Sequence, residues 1–112
     1  MSIRTEKISR AVQRDLAPIL SRVCLRILPG ELVTVVEVKA TADLGLAKVY
    51  VSILNSKDKD KSLYTIDFHN KEIRQELAQV MGKRVRKIPE LNFYLDTTMD
   101  HAERINSILD NL

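Results

Sequence analysis

Residues 46–54, Leu46-Ala47-Lys48-Val49-Tyr50-Val51-Ser52-Ile53-Leu54, decide how the rest of the chain is read. Ala47, Val49, Val51 and Ile53 take alternate positions, with Lys48, Tyr50 and Ser52 between them. Successive side chains of a strand point to opposite faces, so this period of two predicts a strand with one buried and one wet face. Just upstream, Leu32-Val33-Thr34-Val35-Val36-Glu37-Val38-Lys39-Ala40 is dense in β-branched residues, which suit a pleated, half-buried surface. Between the two runs lies Thr41-Ala42-Asp43-Leu44-Gly45, a turn. So short a link predicts an antiparallel hairpin.

Working outward toward the N-terminus, the period changes. Ile8, Ala11, Val12, Leu16, Ile19, Leu20 and Val23 recur every three or four residues, the pattern of an amphipathic helix. Lys7, Arg10 and Arg14 fall on its opposite half. Pro18 lies inside this segment, where it deletes one backbone hydrogen bond, so a kink is expected with the helix surviving on its packing. Leu28-Pro29-Gly30 ends it.

Toward the C-terminus, Asn55 to Lys61 alternates in charge and reads as a solvated loop. Helical spacing resumes with Leu63 and Ile66, then Ile73, Leu77, Val80 and Met81, with an interruption at Phe68, His69 and Asn70. The spacing predicts two helical pieces, 62–68 and 71–82, with Asn70 as N-cap of the second. Leu91 to Asp96 alternates as a third strand, and Thr97 or Thr98 starts a last helix, about 98–112, carrying Ala102, Ile105, Ile108 and Leu109. The order helix, strand, strand, helix, helix, strand, helix predicts an α+β fold, a three-stranded sheet with helices covering one face.

A chain of 112 residues has room for one domain, here 1–112, and its 45% hydrophobic and 29% charged residues are a globular balance. No apolar run approaches the ~20 residues of a membrane span. The charged N-terminus lacks the apolar stretch of a signal peptide, which implies a cytoplasmic protein. Cys24 is the single cysteine, so neither an internal disulfide nor a cysteine-based zinc site can form, and at the end of the first helix's apolar stripe it reads as a small buried hydrophobe. His69 and His101 have no ligand at metal spacing, the serines have no nucleophile-elbow setting, and three glycines make neither a Walker loop nor a dinucleotide fingerprint. The residues therefore predict no catalytic site, metal or cofactor, and no small-molecule substrate.

Charge carries the positive signal. The net charge is only +3, but it is unevenly spread: residues 1–28 balance to +4, 29–70 to −1, 71–87 to +4 and 88–112 to −4. Such segregation suggests an anionic partner. Lys7, Arg10 and Arg14 form one row, Lys71 and Arg74 another, and Lys83-Arg84-Val85-Arg86-Lys87 packs four cations into five residues. These nine are the candidate phosphate contacts for RNA, with Lys39 and Lys48 as weaker candidates. Five aromatic residues are too few for extensive base stacking, so backbone and shape recognition is expected. A different class of function fits the same composition: a protein-interaction or dimerisation module anchored on Tyr50 and Tyr94 at outward strand positions.

Several stretches in their order and spacing resemble a known family, ribosome-binding factor A. Arg4, Ile8, Leu16 and Ile19-Leu20 resemble its opening helix, and Val33 to Val38, Asp43-Leu44 and Ala47 to Ser52 its strand, turn and strand. Glu72 to Leu77 resembles its later helix, and Arg86-Lys87-Ile88-Pro89-Glu90-Leu91, followed by Phe93 and Leu95-Asp96, its most recognisable stretch. The resemblance covers roughly residues 4–110. It implies a KH-like fold of the type II order, α-β-β-α-kink-α-β, lacking the Gly-x-x-Gly loop of ordinary KH domains. Where the family usually marks its helix kink with Ala-x-Gly, this chain reads His69-Asn70-Lys71. The implied function is a monomeric, non-enzymatic assembly factor that binds the 30S ribosomal subunit and its 16S rRNA late in maturation and supports growth at low temperature.

Overall fold

The computed structural model describes residues 3–82 and 88–96. Its elements are α1 (Ile3–Ile27), β1 (Leu32–Ala40), β2 (Leu46–Leu54), α2 (Lys59–Phe68), α3 (Asn70–Met81) and β3 (Glu90–Leu95). The order is the one expected. The last helix expected at about 98–112 lies outside the described residues, as does His101.

The sheet has the order β1-β2-β3. β1 and β2 form the antiparallel hairpin, with Val33 opposite Ile53 and Val38 opposite Val49. β3 lies parallel to β2, with Ala47 opposite Leu91 and Val49 opposite Phe93. A parallel neighbour needs a long crossover, and α2 with α3 supplies it by returning the chain to the start of β2. Val33, Val38, Ala47, Val49, Val51, Ile53, Leu91 and Phe93 are buried on the face the helices cover, while Glu37, Lys39, Lys48 and Asn92 on the other face are exposed. The core is completed by Val12, Leu16 and Leu20 of α1, Ile66 of α2, and Ile73 and Leu77 of α3, all fully buried.

α1 is one helix from Ile3 to Ile27, unbroken at Pro18. The proline removes a backbone donor, but Leu16, Ile19 and Leu20 around it are all held in the core, and that packing outweighs one lost bond. Ser9 interrupts the apolar stripe for a reason the periodicity does not reveal. Its buried hydroxyl donates to the Thr5 carbonyl at 2.7 Å and accepts the Ala40 N–H at 2.9 Å, tying the start of α1 to the end of β1. A hydroxyl serves here because it can donate and accept at once.

Two boundaries differ from the sequence reading. α2 begins three residues earlier, inside the stretch read as loop, because Asp58 caps it: its side chain accepts the Lys61 N–H at 3.2 Å. Asn70 is not a cap. His69 holds the cap position of α3 without a side-chain cap bond, and Asn70 is the first helical residue. The break itself is present: His69 sits at φ −96, ψ 14, its N–H closes back on Ile66, and its carbonyl accepts the N–H of Ile73. None of its residues has a positive φ, so no glycine is required there. The Asn70 amide instead donates to the Leu91 carbonyl at 2.7 Å and to Asp67 at 3.1 Å, fastening the break to β3.

Candidate nucleic-acid interface

The cations of α1 fall into two sets. Lys7, Arg10 and Arg14 are exposed, on the side away from Val12, Leu16 and Leu20. Arg14 is paired with its neighbour Asp15 at 3.1 Å, and that hydrogen bond raises the guanidinium pKa. Lys7 and Arg10 have no ion-pair partner among the described residues. Arg22 and Arg26, in the same helix, are spent on structure. Arg22 donates to Glu76 at 2.7 Å, and Arg26 pairs with Glu72. Rising numbers on α1 meet falling numbers on α3, so the two helices run antiparallel. The C-terminal end of α3 therefore lies toward the half of α1 that carries Arg14. Lys83, Arg84, Arg86 and Lys87 follow Gly82 and lie outside the described residues.

Around the helix break, charge is organised by Glu72. Its carboxyl is held below the usual range chiefly by the hydrogen bond from Arg26, with a further contribution from the His69 ring at 3.3 Å. Lys71 is exposed and has no ion-pair partner among the described residues. Arg74 is half-buried and turned inward: Nε donates to the Pro89 carbonyl at 3.1 Å and Nη2 to the Ile88 carbonyl at 2.6 Å. Lys71 and Arg74 thus share a helix but do different work. Two of Arg74's five donors hold the start of β3 in place.

The open face of the sheet holds the weaker candidates. Lys39 and Lys48 are cross-strand neighbours, an arrangement of like charges that is unfavourable unless relieved. Lys39 Nζ lies 5.6 Å above the ring of Tyr50, which attracts the cation. Tyr50 and Tyr94 stack with centroids 5.6 Å apart. They are outward, as expected, but engaged with each other.

Sequence reasoning missed two exposed aromatics. Tyr64 is 71% and Phe68 75% exposed on α2. The signal was present, since both sit four apart and off the Leu63–Ile66 stripe, but an aromatic in an apolar-looking segment reads as core until the faces are known. Cys24 is buried as expected, and burial pushes its thiol up to about 11. No helix among the described residues is long and apolar enough to cross a membrane.

Comparison with known proteins places this architecture. The family model described as Ribosome-binding factor A matches residues 4–109. The ribosome-binding factor A of Chlorobaculum tepidum is 42% identical over 113 residues, spanning 100% of this chain and 92% of the relative. That of Chlorobium phaeobacteroides is 44% identical over 110 residues, spanning 97% and 93%. The chain belongs to the ribosome-binding factor A family. Its fold is the KH-like α+β fold of that family. The crystal structure of ribosome-binding factor A from Thermus thermophilus superposes with a TM-score of 0.66 at 21% identity, covering 81% of this chain and 94% of that one. Coordinates of the Thermus thermophilus factor fitted into an electron cryo-microscopy map of a 30S complex superpose with a TM-score of 0.63 at 23% identity, covering 79% and 90%.

Proposed function

We propose that this chain is a cytoplasmic, non-enzymatic RNA-binding factor. On this reading it binds the 30S subunit and its 16S rRNA as a monomer, late in maturation, through one domain spanning residues 1–112. One observation carries it, in a chain whose relatives are ribosome-binding factors. Arg22 and Arg26 are neutralised by Glu76 and Glu72, while Lys7 and Arg10 on the same helix stand exposed with no acid partner among the described residues. Exposed, unpaired cations are the ones that can neutralise phosphates and release counterions. The Thermus thermophilus relative fitted into a 30S complex supports the same partner. Lys7, Arg10, Arg14, Lys71, Arg74, Lys83, Arg84, Arg86 and Lys87 are the proposed RNA contacts.

The mechanism is selective binding. A factor that favours an immature arrangement of RNA shifts the population toward it, and must leave before the mature arrangement is used. Two measurements test the reading. The protein should sediment with free small subunits in a cell extract. Its affinity for ribosomal RNA should fall steeply on a log–log plot against salt, by about 0.9 per phosphate contact on duplex and about 0.7 on single strands. Absence of RNA binding at low salt would overturn it and favour a protein-interaction module.

A further inference from the structure

α2 is fastened to the fold more lightly than its neighbours. Of its residues Ser62 and Ile66 are buried, and Leu63 is partly covered against the core. Tyr64 and Phe68 stand exposed, so two large side chains of this helix add little by burial. α3 differs. It buries Ile73, Leu77 and Met81, and the Arg22–Glu76 and Arg26–Glu72 pairs add to its hold on α1. The two ends of α2 are also unlike. Near its start the buried Ser62 hydroxyl donates to the Glu31 carboxylate, just before β1, and lies 2.7 Å from the Ser56 hydroxyl, just after β2. One side chain thus ties α2 to two separate links of the chain. At the other end the helical bonding is broken at His69, where no side chain caps α3. Beyond the break Asn70 is anchored to the Leu91 carbonyl, and a single exposed side-chain bond, from Asn70 to Asp67, crosses back to α2.

We propose that α2 is a strap that opens as a unit about His69, with Ser62 on Glu31 and Ser56 as its latch. Segments open locally, without global unfolding, where buried apolar contacts are few and the boundary to the next element is already broken. α2 meets both conditions, and hinges are commonly such element-terminal residues. A detached helix of ten residues is marginal in water, so opening also melts it and frees its amides. The motion uncovers Leu63 and Ile66. Lys7 and Arg10 of α1 and Lys71 of α3 belong to elements that stay docked, so the strap opens while the proposed phosphate contacts keep their places. The proposal goes beyond the RNA-binding reading and stands on the packing of α2 alone.

Hydrogen–deuterium exchange of the full chain, read peptide by peptide in a series of low urea concentrations, tests it. Amides of residues 62–68 should exchange roughly tenfold or more faster than those of residues 74–81. Their rate should change little with urea, because a local opening exposes little surface, whereas the rate of 74–81 should climb. Ser62→Ala should speed exchange of 62–68 by a further factor of roughly 2 to 13, the worth of one net hydrogen bond, and leave 74–81 and β2 as in the parent. Glu31→Ala should act on the same peptide by a similar factor, and the double variant should add little, since both changes remove the same bond. Equal rates and equal urea slopes in 62–68 and 74–81 overturn the strap. Ser62→Ala with no effect on 62–68, or with every segment accelerated alike, overturns the latch and with it the proposal. Should Ser62→Ala fail to fold, the urea series on the parent decides by itself. None of these readings involves RNA, so their failure leaves the functional reading standing.

Discussion

Asn70 shows how one side chain can be read correctly for importance and wrongly for mechanism. Its position at a helix start suggests a cap, yet its amide is a donor to the Leu91 carbonyl. The two roles separate under substitution. Asn70→Ala should cost about 1 kcal/mol, the net value of a hydrogen bond lost from a part-buried acceptor. Asn70→Asp, which a cap would tolerate, should cost more, because aspartate cannot donate to Leu91 and repels Asp67. Urea titration of both variants checks the order. Val49 is fully buried in the central strand, so Val49→Asp should cost several kcal/mol, comparable with the stability of a whole small domain, and leave the protein largely unfolded in a thermal melt. Cys24 adds a pH dependence. Its folded thiol is raised, by burial and then by Glu31, from the ordinary 9.0 to about 11. The unfolded thiol ionises first, so this contribution to stability is intact below about 9 and is lost as pH rises toward 11. At pH 8 the native thiol should react with a thiol reagent far more slowly than in denaturant.

At the scale of elements, the helix pair α1–α3 is held by an apolar seam with ion pairs along its rim. The Arg26–Glu72 pair is exposed, so its worth is modest and salt-sensitive, but its sign is defined. Arg26 depresses the Glu72 carboxyl, so the pair stabilises the fold above the ordinary glutamate value and the gain disappears as pH falls through the lowered one. The melting temperature of Glu72→Gln should lie below the parent's at pH 7, and the two should converge in acid. Pro18 is an element-scale cost tolerated for the sake of packing. It is exposed in a helix that continues on both sides, so Pro18→Ala should restore a backbone bond and raise stability by up to about 3 kcal/mol, read as a higher melting temperature. An unchanged or lowered melting temperature would show that the backbone around residue 18 is adapted to the ring.

For the molecule as a whole, the decisive feature is charge separation. Two basic segments, each +4, stand against an acidic segment, 88–112, of −4. Acids near α2 already offset its lysines, with Asp58 and Asp60 beside Lys57, Lys59 and Lys61. The Lys83–Lys87 segment meets no acid in sequence until Glu90. Arg84→Glu with Arg86→Glu should therefore abolish association with small subunits and leave the melting curve near that of the parent. Lys57→Glu with Lys61→Glu should do much less. Should the second pair lose subunit binding and the first keep it, the RNA face is misassigned.

Much of the architecture is legible in the order of the residues alone. A period of two in residues 46–54 and a period near 3.6 in residues 8–23 are local records of which side is buried, and burial is what those faces share with their final surroundings. The element order, the buried sets and the exposed row Lys7, Arg10 and Arg14 all follow from that. What the sequence could not hold is which polar group meets which. Arg22 and Arg26 are cations of the same helix as Lys7 and Arg10, but Glu76 and Glu72 pair with them, and Arg74 gives two of its donors to the Pro89 and Ile88 carbonyls. Asn70 found Leu91, and Tyr64 was brought beside Asn92 and Phe93, only because β3 returns parallel to β2. Hydrogen bonds and ion pairs are short-ranged and directional, so their partners are set by where distant segments come to rest. Periodicity reports only that a residue faces in or out, and the tertiary structure decides what it faces.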